Sequence, residues 1–196
     1  MSTIFETVMQ QVGGENLSTI SRQIGADEGT TATAVQAALP MLLGGLARNS
    51  AKPEGAASLA NALNDHRGGL LENLGGLLGD PESGPGAGIL RHIFGDRRSN
   101  VESGVGKATG LNQRQIGKLL TILAPIVMAA LARKAAPRAD AADASGSLPN
   151  ILEQESREAA QKAPGGLGAL IGMLDRDGDG NPLNDLGRLG GLFGGR

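Results

Sequence analysis

An all-α, multihelical and internally duplicated fold is predicted by three features of the sequence. Two stretches, Ala34–Ala47 and Leu119–Ala132, hold a single polar residue each, Gln36 and Thr121. The chain also matches itself without gaps at an offset of 85 residues, Ile20–Asn49 lying over Val105–Lys134. Strand signals, which would be short alternating apolar runs between turn residues, are essentially missing.

Composition sets the kind of core. The 196 residues are 40% hydrophobic but only 2% aromatic, with three Phe and no Trp or Tyr, so Leu, Ile, Val, Ala and Met must fill the interior. Glycine, at 32 residues, is far above its usual share of about 7% and sits inside Leu-rich segments rather than in polar linkers. A net charge of −2 gives no global attraction to nucleic acid or an anionic membrane. The absence of cysteine excludes disulfides, thiolate catalysis and Cys-based zinc sites. The first residues, MSTIFETVMQQVGGENLS, lack the cationic start and apolar stretch of a signal peptide, so a cytoplasmic location is the expectation.

Taken in order, the first unit is expected over Met1–Asp96. Gly25-Ala26 reads as a turn and Asp27 as the N-cap of a long helix. That helix is apolar on every face through Ala34–Ala47, which predicts burial on every face. Pro40, in its middle, should kink the helix or begin a new one, and Gly44-Gly45 lets another backbone come close. Asn49–Ala56 and Asp80–Gly88 read as linkers, with Ser58–Leu63 and the Leu/Gly-rich Gly68–Leu78 as shorter elements around them.

The second unit, Arg97–Arg196, repeats these landmarks. Gly110-Leu111 forms the turn, Asn112 the cap, Pro125 the kink, and Ala129-Ala130 the small pair. Ser147–Leu152 pairs with Ser58–Leu63, Gly165–Leu174 with Gly68–Leu78, and Leu192-Phe193-Gly194 with Ile93-Phe94-Gly95; Pro137–Gly146 is a linker. Each apolar run spans about 21 Å at 1.5 Å per residue, short of the ~30 Å hydrocarbon layer, so no membrane span is expected. Two buried, proline-kinked central helices should pack about a pseudo-two-fold axis, the repeats forming one globule.

With the GADEG turn, the AALPMLLGGLARN helix, the Leu/Gly-rich segments and the terminal DRDGDG loop in hand, the chain resembles the YidB-like bacterial family of domains of unknown function (number 937) over nearly its whole length. The resemblance implies a multihelical fold around a buried central helix and no established activity.

One segment carries recognisable ligand chemistry. Residues 175–186 begin with D-x-D-x-D-G, the first half of an EF-hand-type loop: Asp175, Asp177 and Asp179 alternate, and Gly180 allows the turn that brings the Asn181 carbonyl inward. Oxygen ligands at this density call for a hard cation, and a structural Ca2+ is expected. The twelfth position is Leu186 instead of the bidentate Glu, and Asp185 or Asn184 would have to close the shell beside a stiffening Pro182. The first unit keeps only Asp80 and Glu82 at the equivalent place, so one site is predicted.

Other motifs are weaker. Ile20–Val35, and its repeat around Gly110, resembles a helix-turn-helix that would aim Thr30, Thr31 and Thr33, or Gln113, Arg114 and Lys118, at a DNA groove. The first copy has no Lys or Arg between Glu28 and Ala47, so core packing is the expected role. Arg91, His92, Arg97, Arg98 and Lys107 form the densest basic cluster, without interleaved aromatics for base stacking. His66 and His92 are not spaced for zinc. No nucleophile elbow or complete phosphate loop is present. Gly187–Arg196 offers Leu189, Leu192 and Phe193 as a docking face for a second copy or a protein partner. The expected function is therefore a non-enzymatic helical scaffold or interaction protein with one structural calcium, and the alternative is a DNA-binding regulator.

Overall fold

Glycine and a following cap residue open each of the two longest helices, and they do so in the same way. Gly25 and Gly110 take left-handed conformations, φ 71° and 78°, each closing a preceding helix where a side chain would strain the backbone. Two residues on, the Asp27 carboxylate accepts the Thr30 amide at 2.8 Å, and the Asn112 side chain accepts the Gln115 amide at 3.0 Å. The Gln115 side-chain oxygen in turn accepts the Asn112 amide at 3.0 Å, completing a capping box.

The computed structural model describes residues 2–65, 84–135 and 144–162, and every regular element among them is helical. Helix α1 covers Ile4–Gln11, α2 Glu15–Ile24, α3 Glu28–Ser50 and α4 Pro53–Asp65. Helix α5 covers Gly86–Phe94, a 3-10 turn Gly95–Arg97, α6 Arg98–Thr109, α7 Gln113–Ala135 and α8 Ala144–Lys162. Three helices begin inside stretches that read as linkers, α4 at Pro53, α5 at Gly86 and α8 at Ala144. Pro53 starts α4 because a first-turn position needs no amide donor and favours the fixed φ of proline.

The described core is one continuous cluster drawing on α1 to α8. Helices α3 and α7 touch each other at its centre; α2 and α6 each pack against both of them, α5 bridges α7 and α3, and α8 lies along α3. From Leu119 to Ala132 every residue of α7 is buried. Each fully buried Leu or Ile there stabilises the fold by roughly 1.5–3 kcal/mol. Both long helices are apolar and long enough to cross a membrane, yet 61% of the α3 window and 89% of the α7 window lie inside the protein.

Pro40 and Pro125 sit inside unbroken helices, so neither begins a new one. A proline at 125 removes the donor that would pair with the Thr121 carbonyl. Gly86 of α5 comes against that oxygen: a Cβ added at Gly86 would stand 2.0 Å from it, which leaves room only for a Cα–H pointing at the carbonyl. Gly45 of α3 plays a related part, its bare Cα facing Ile93 and Phe94 of α5 at distances a methyl group could not share.

The calcium-type loop, 175–186, the Gly68–Leu78 and Gly165–Leu174 segments and the tail 187–196 lie outside the described residues.

Candidate functional site

Helix α8 carries a glutamate on its apolar stripe. Leu148, Leu152, Glu155 and Ala159 recur at helical spacing, and all four are buried, Glu155 being only 3% exposed. An ionised carboxylate so placed needs compensation. It is supplied from two directions: the backbone N–H of Ile4, in the first turn of α1, donates to Oε2 at 2.6 Å, and the Lys134 ammonium, at the end of α7, pairs with Oε1. The positive end of the α1 dipole reinforces the first contact. A single side chain thus joins α1, α7 and α8.

Around it, α1 is fastened a second time. Lys162 of α8 pairs with Glu6 at 2.6 Å and lies 5.9 Å from the centre of the Phe5 ring. The bond from Lys162, and then that from the Thr3 backbone, hold the Glu6 carboxyl below the usual glutamate range.

A second carboxylate, Glu102 of α6, is also buried. Its Oε1 takes the Arg98 guanidinium at 2.7 Å and its Oε2 the Gln113 amide at 3.1 Å, tying α6 to the start of α7. The remaining buried hydroxyls turn inward on their own helices, Ser21 to the Leu17 carbonyl, Thr31 to Asp27, Ser50 to Ala47 and Thr121 to Gly117. With both oxygens of Glu155 and of Glu102 engaged, these groups act as clamps between helices.

The residues expected to bind calcium, Asp175, Asp177, Asp179, Asn181 and Asp185, lie outside the described residues, as does His66. Among the described residues no group of three His, Asp or Glu could hold a metal ion. His92 is exposed at the end of α5, where its carbonyl accepts the Asn49 side chain at 2.7 Å.

For the helix-turn-helix expectation, the geometry corrects one residue and leaves others in place. Thr31 is 0% exposed and its hydroxyl is bonded to the Asp27 carbonyl, because the helical turn carries it to the core side of α3. Thr33, Gln113, Arg114 and Lys118 are exposed. The turn itself is occupied by the other half of the chain, Gln115 donating to the Gly25 carbonyl at 2.9 Å. In the basic cluster, Arg91 and His92 are exposed while Arg98 is committed to Glu102.

Glu155 and Glu102 escaped the sequence analysis. The signal for Glu155 was its place in the stripe Leu148, Leu152, Ala159; its partners, 151 and 21 residues away, carried none.

A family model described as a bacterial protein of unknown function (DUF937) matches residues 6–134, from the first turn of α1 to the last turn of α7. No curated protein and no solved structure matches the chain.

Proposed function

This chain belongs to the DUF937 family of bacterial proteins of unknown function, and from that premise we propose that it is a non-enzymatic helical scaffold whose Asp175–Asp185 loop takes a structural calcium ion. The observation that carries the scaffold reading is the use made of the buried carboxylates. Glu155 and Glu102 have both oxygens engaged in holding helices together. A general base needs an oxygen free to take a proton from substrate.

The calcium reading rests on the spacing of Asp175, Asp177 and Asp179 before Gly180. Alternate carboxylates crowd like charges in the absence of a cation, so the ion would stabilise the segment that carries them. The first-unit equivalent retains Asp80 and Glu82 only, which supports a single ion per chain.

Thermal unfolding of the full chain tests this directly. Calcium at about a hundred times its dissociation constant should add roughly 2.7 kcal/mol, seen as a higher Tm than in chelator. Asp177→Ala combined with Asp179→Ala should abolish the difference. Identical melting curves for the unsubstituted chain in calcium and in chelator would remove the ion from the proposal.

A further inference from the structure

The step of 85 residues governs more than the long helices. Helices α3 and α7 begin at Glu28 and Gln113 and end at Ser50 and Ala135, and α2 and α6 end at Ile24 and Thr109, all 85 positions apart. Carried back toward the start of the chain, the same step lays α1 over α5. Ile4, Phe5 and Val8 fall on Ile89, Leu90 and Ile93, and all of these are buried except Ile89, which is partly so and packs against the core. Carried forward, after an insertion of four residues in the second set, Leu59 and Leu63 of α4 answer to Leu148 and Leu152 of α8, and these four are buried as well.

We infer that the repeating unit carries four of the described helices, beginning at α1 and again at α5, and that the apolar face of each set is a docking surface fitted to a second set of its own kind. The boundary then lies ahead of Gly86 and not at Arg97. This inference is independent of the calcium loop.

Contacts cross that boundary in both directions, although α5 also lies along α7 of its own set. Helix α1 packs on α7 and α8, with the Ile4 amide on Glu155. Helix α5 sends Ile93 and Phe94 onto Gly45 of α3, and its His92 carbonyl receives Asn49. Helix α2 packs on α7 and α6 on α3, while Gln115 of the second set bonds the Gly25 turn of the first. Each set therefore covers the central helix of the other, and the partner each surface fits is a second such set, with the same apolar spacing in its described helices.

The test uses the full chain with a protease recognition sequence inserted between Gly84 and Pro85, cut after folding. The halves should co-elute at the mass of the uncut protein and keep its helical circular dichroism. Halves that elute separately, whether folded or not, overturn the inference. In the cut protein, Val8→Ala and Ile93→Ala should each weaken association by at least about tenfold, each variant being checked first for a folded uncut chain. An Ile93→Ala protein whose halves hold together as tightly as the unsubstituted ones would also overturn it, because α5 would then contribute nothing across the boundary.

Discussion

Helices α3 and α7 share a length of 23 residues, a glycine turn before them, a capping side chain and an internal proline, yet they are covered differently. Helix α7 is buried without interruption from Leu119 to Ala132, whereas α3 leaves Gln36, Met41, Gly44 and Ala47 partly open. The side chains account for the difference. Between Ile122 and Leu131, α7 presents Ile, Leu, Val and Met, large enough to hold several neighbours at normal distance, and α1, α2, α4, α5 and α6 gather around it. Helix α3 presents Ala37, Ala38, Gly44 and Gly45; every other described helix also touches it, but α8 runs closest along it, with the Ser156 hydroxyl 3.4 Å from where a Cβ on Gly44 would stand. Small residues let one neighbour run close along α3, while the larger side chains of α7 hold its several neighbours at normal distance.

Matched substitutions can break or sharpen this contrast. The largest effect is expected at Ile126, 1% exposed, where truncation to Ala should cost about 2–5 kcal/mol. Met41, its counterpart on α3, is half-buried, and Met41→Ala should cost at least about 1 kcal/mol less in urea unfolding. Equal losses would mean that the two helices are enclosed alike.

Next come the helix ends. Glu155→Ala leaves the Ile4 amide without its acceptor and should cost roughly 1–3 kcal/mol, with amide exchange of α1 accelerating before that of the core. Asn49→Ala, at the corresponding end of α3, loses an exposed bond to the His92 carbonyl and should cost less. Faster exchange in α1 of the Asn49 variant, and not in that of the Glu155 variant, would reverse the assignment of the clamp.

The caps differ in their response to acid. Asn112→Ala should cost about 0.5–2 kcal/mol at any pH. The Thr30 hydroxyl, followed by the Thr30 amide, holds the Asp27 carboxyl below the usual aspartate range. A depressed folded-state value means that the cap is fully effective above the ordinary aspartate range and is lost as pH falls through the folded value. Asp27→Ala should therefore lower Tm at neutral pH and have little effect in strong acid, and parallel pH profiles for the two variants would count against it. The smallest change is expected from Arg114→Ala with Lys118→Ala, exposed on α7, which should stay within about 0.5 kcal/mol of the parent.

Much of the frame was readable because its signals are local. The turns at Gly25 and Gly110, the caps at Asp27 and Asn112 and the apolar runs behind them each depend on residues a few positions apart, and the helical class follows from them. Helices α1 and α5 were harder: they are short, and their shared apolar positions emerge only once burial identifies Ile4, Phe5 and Val8 beside Leu90 and Ile93. The clamp at Glu155 was not legible, since a glutamate on an apolar stripe does not announce which distant amide will meet it. Asp175, Asp177 and Asp179 stand where spacing alone put them, outside the described helices.

The bond between Ile4 and Glu155 spans 151 residues, which has a consequence for biosynthesis. At the usual 5–20 residues per second, the ribosome exposes the N-terminal helix roughly 8–30 s before the residue that will hold it has been translated. During that interval the greasy sides of the early helices have only one another or a chaperone to meet. Final closure must therefore be a late event, completed after most of the polypeptide has left the exit tunnel.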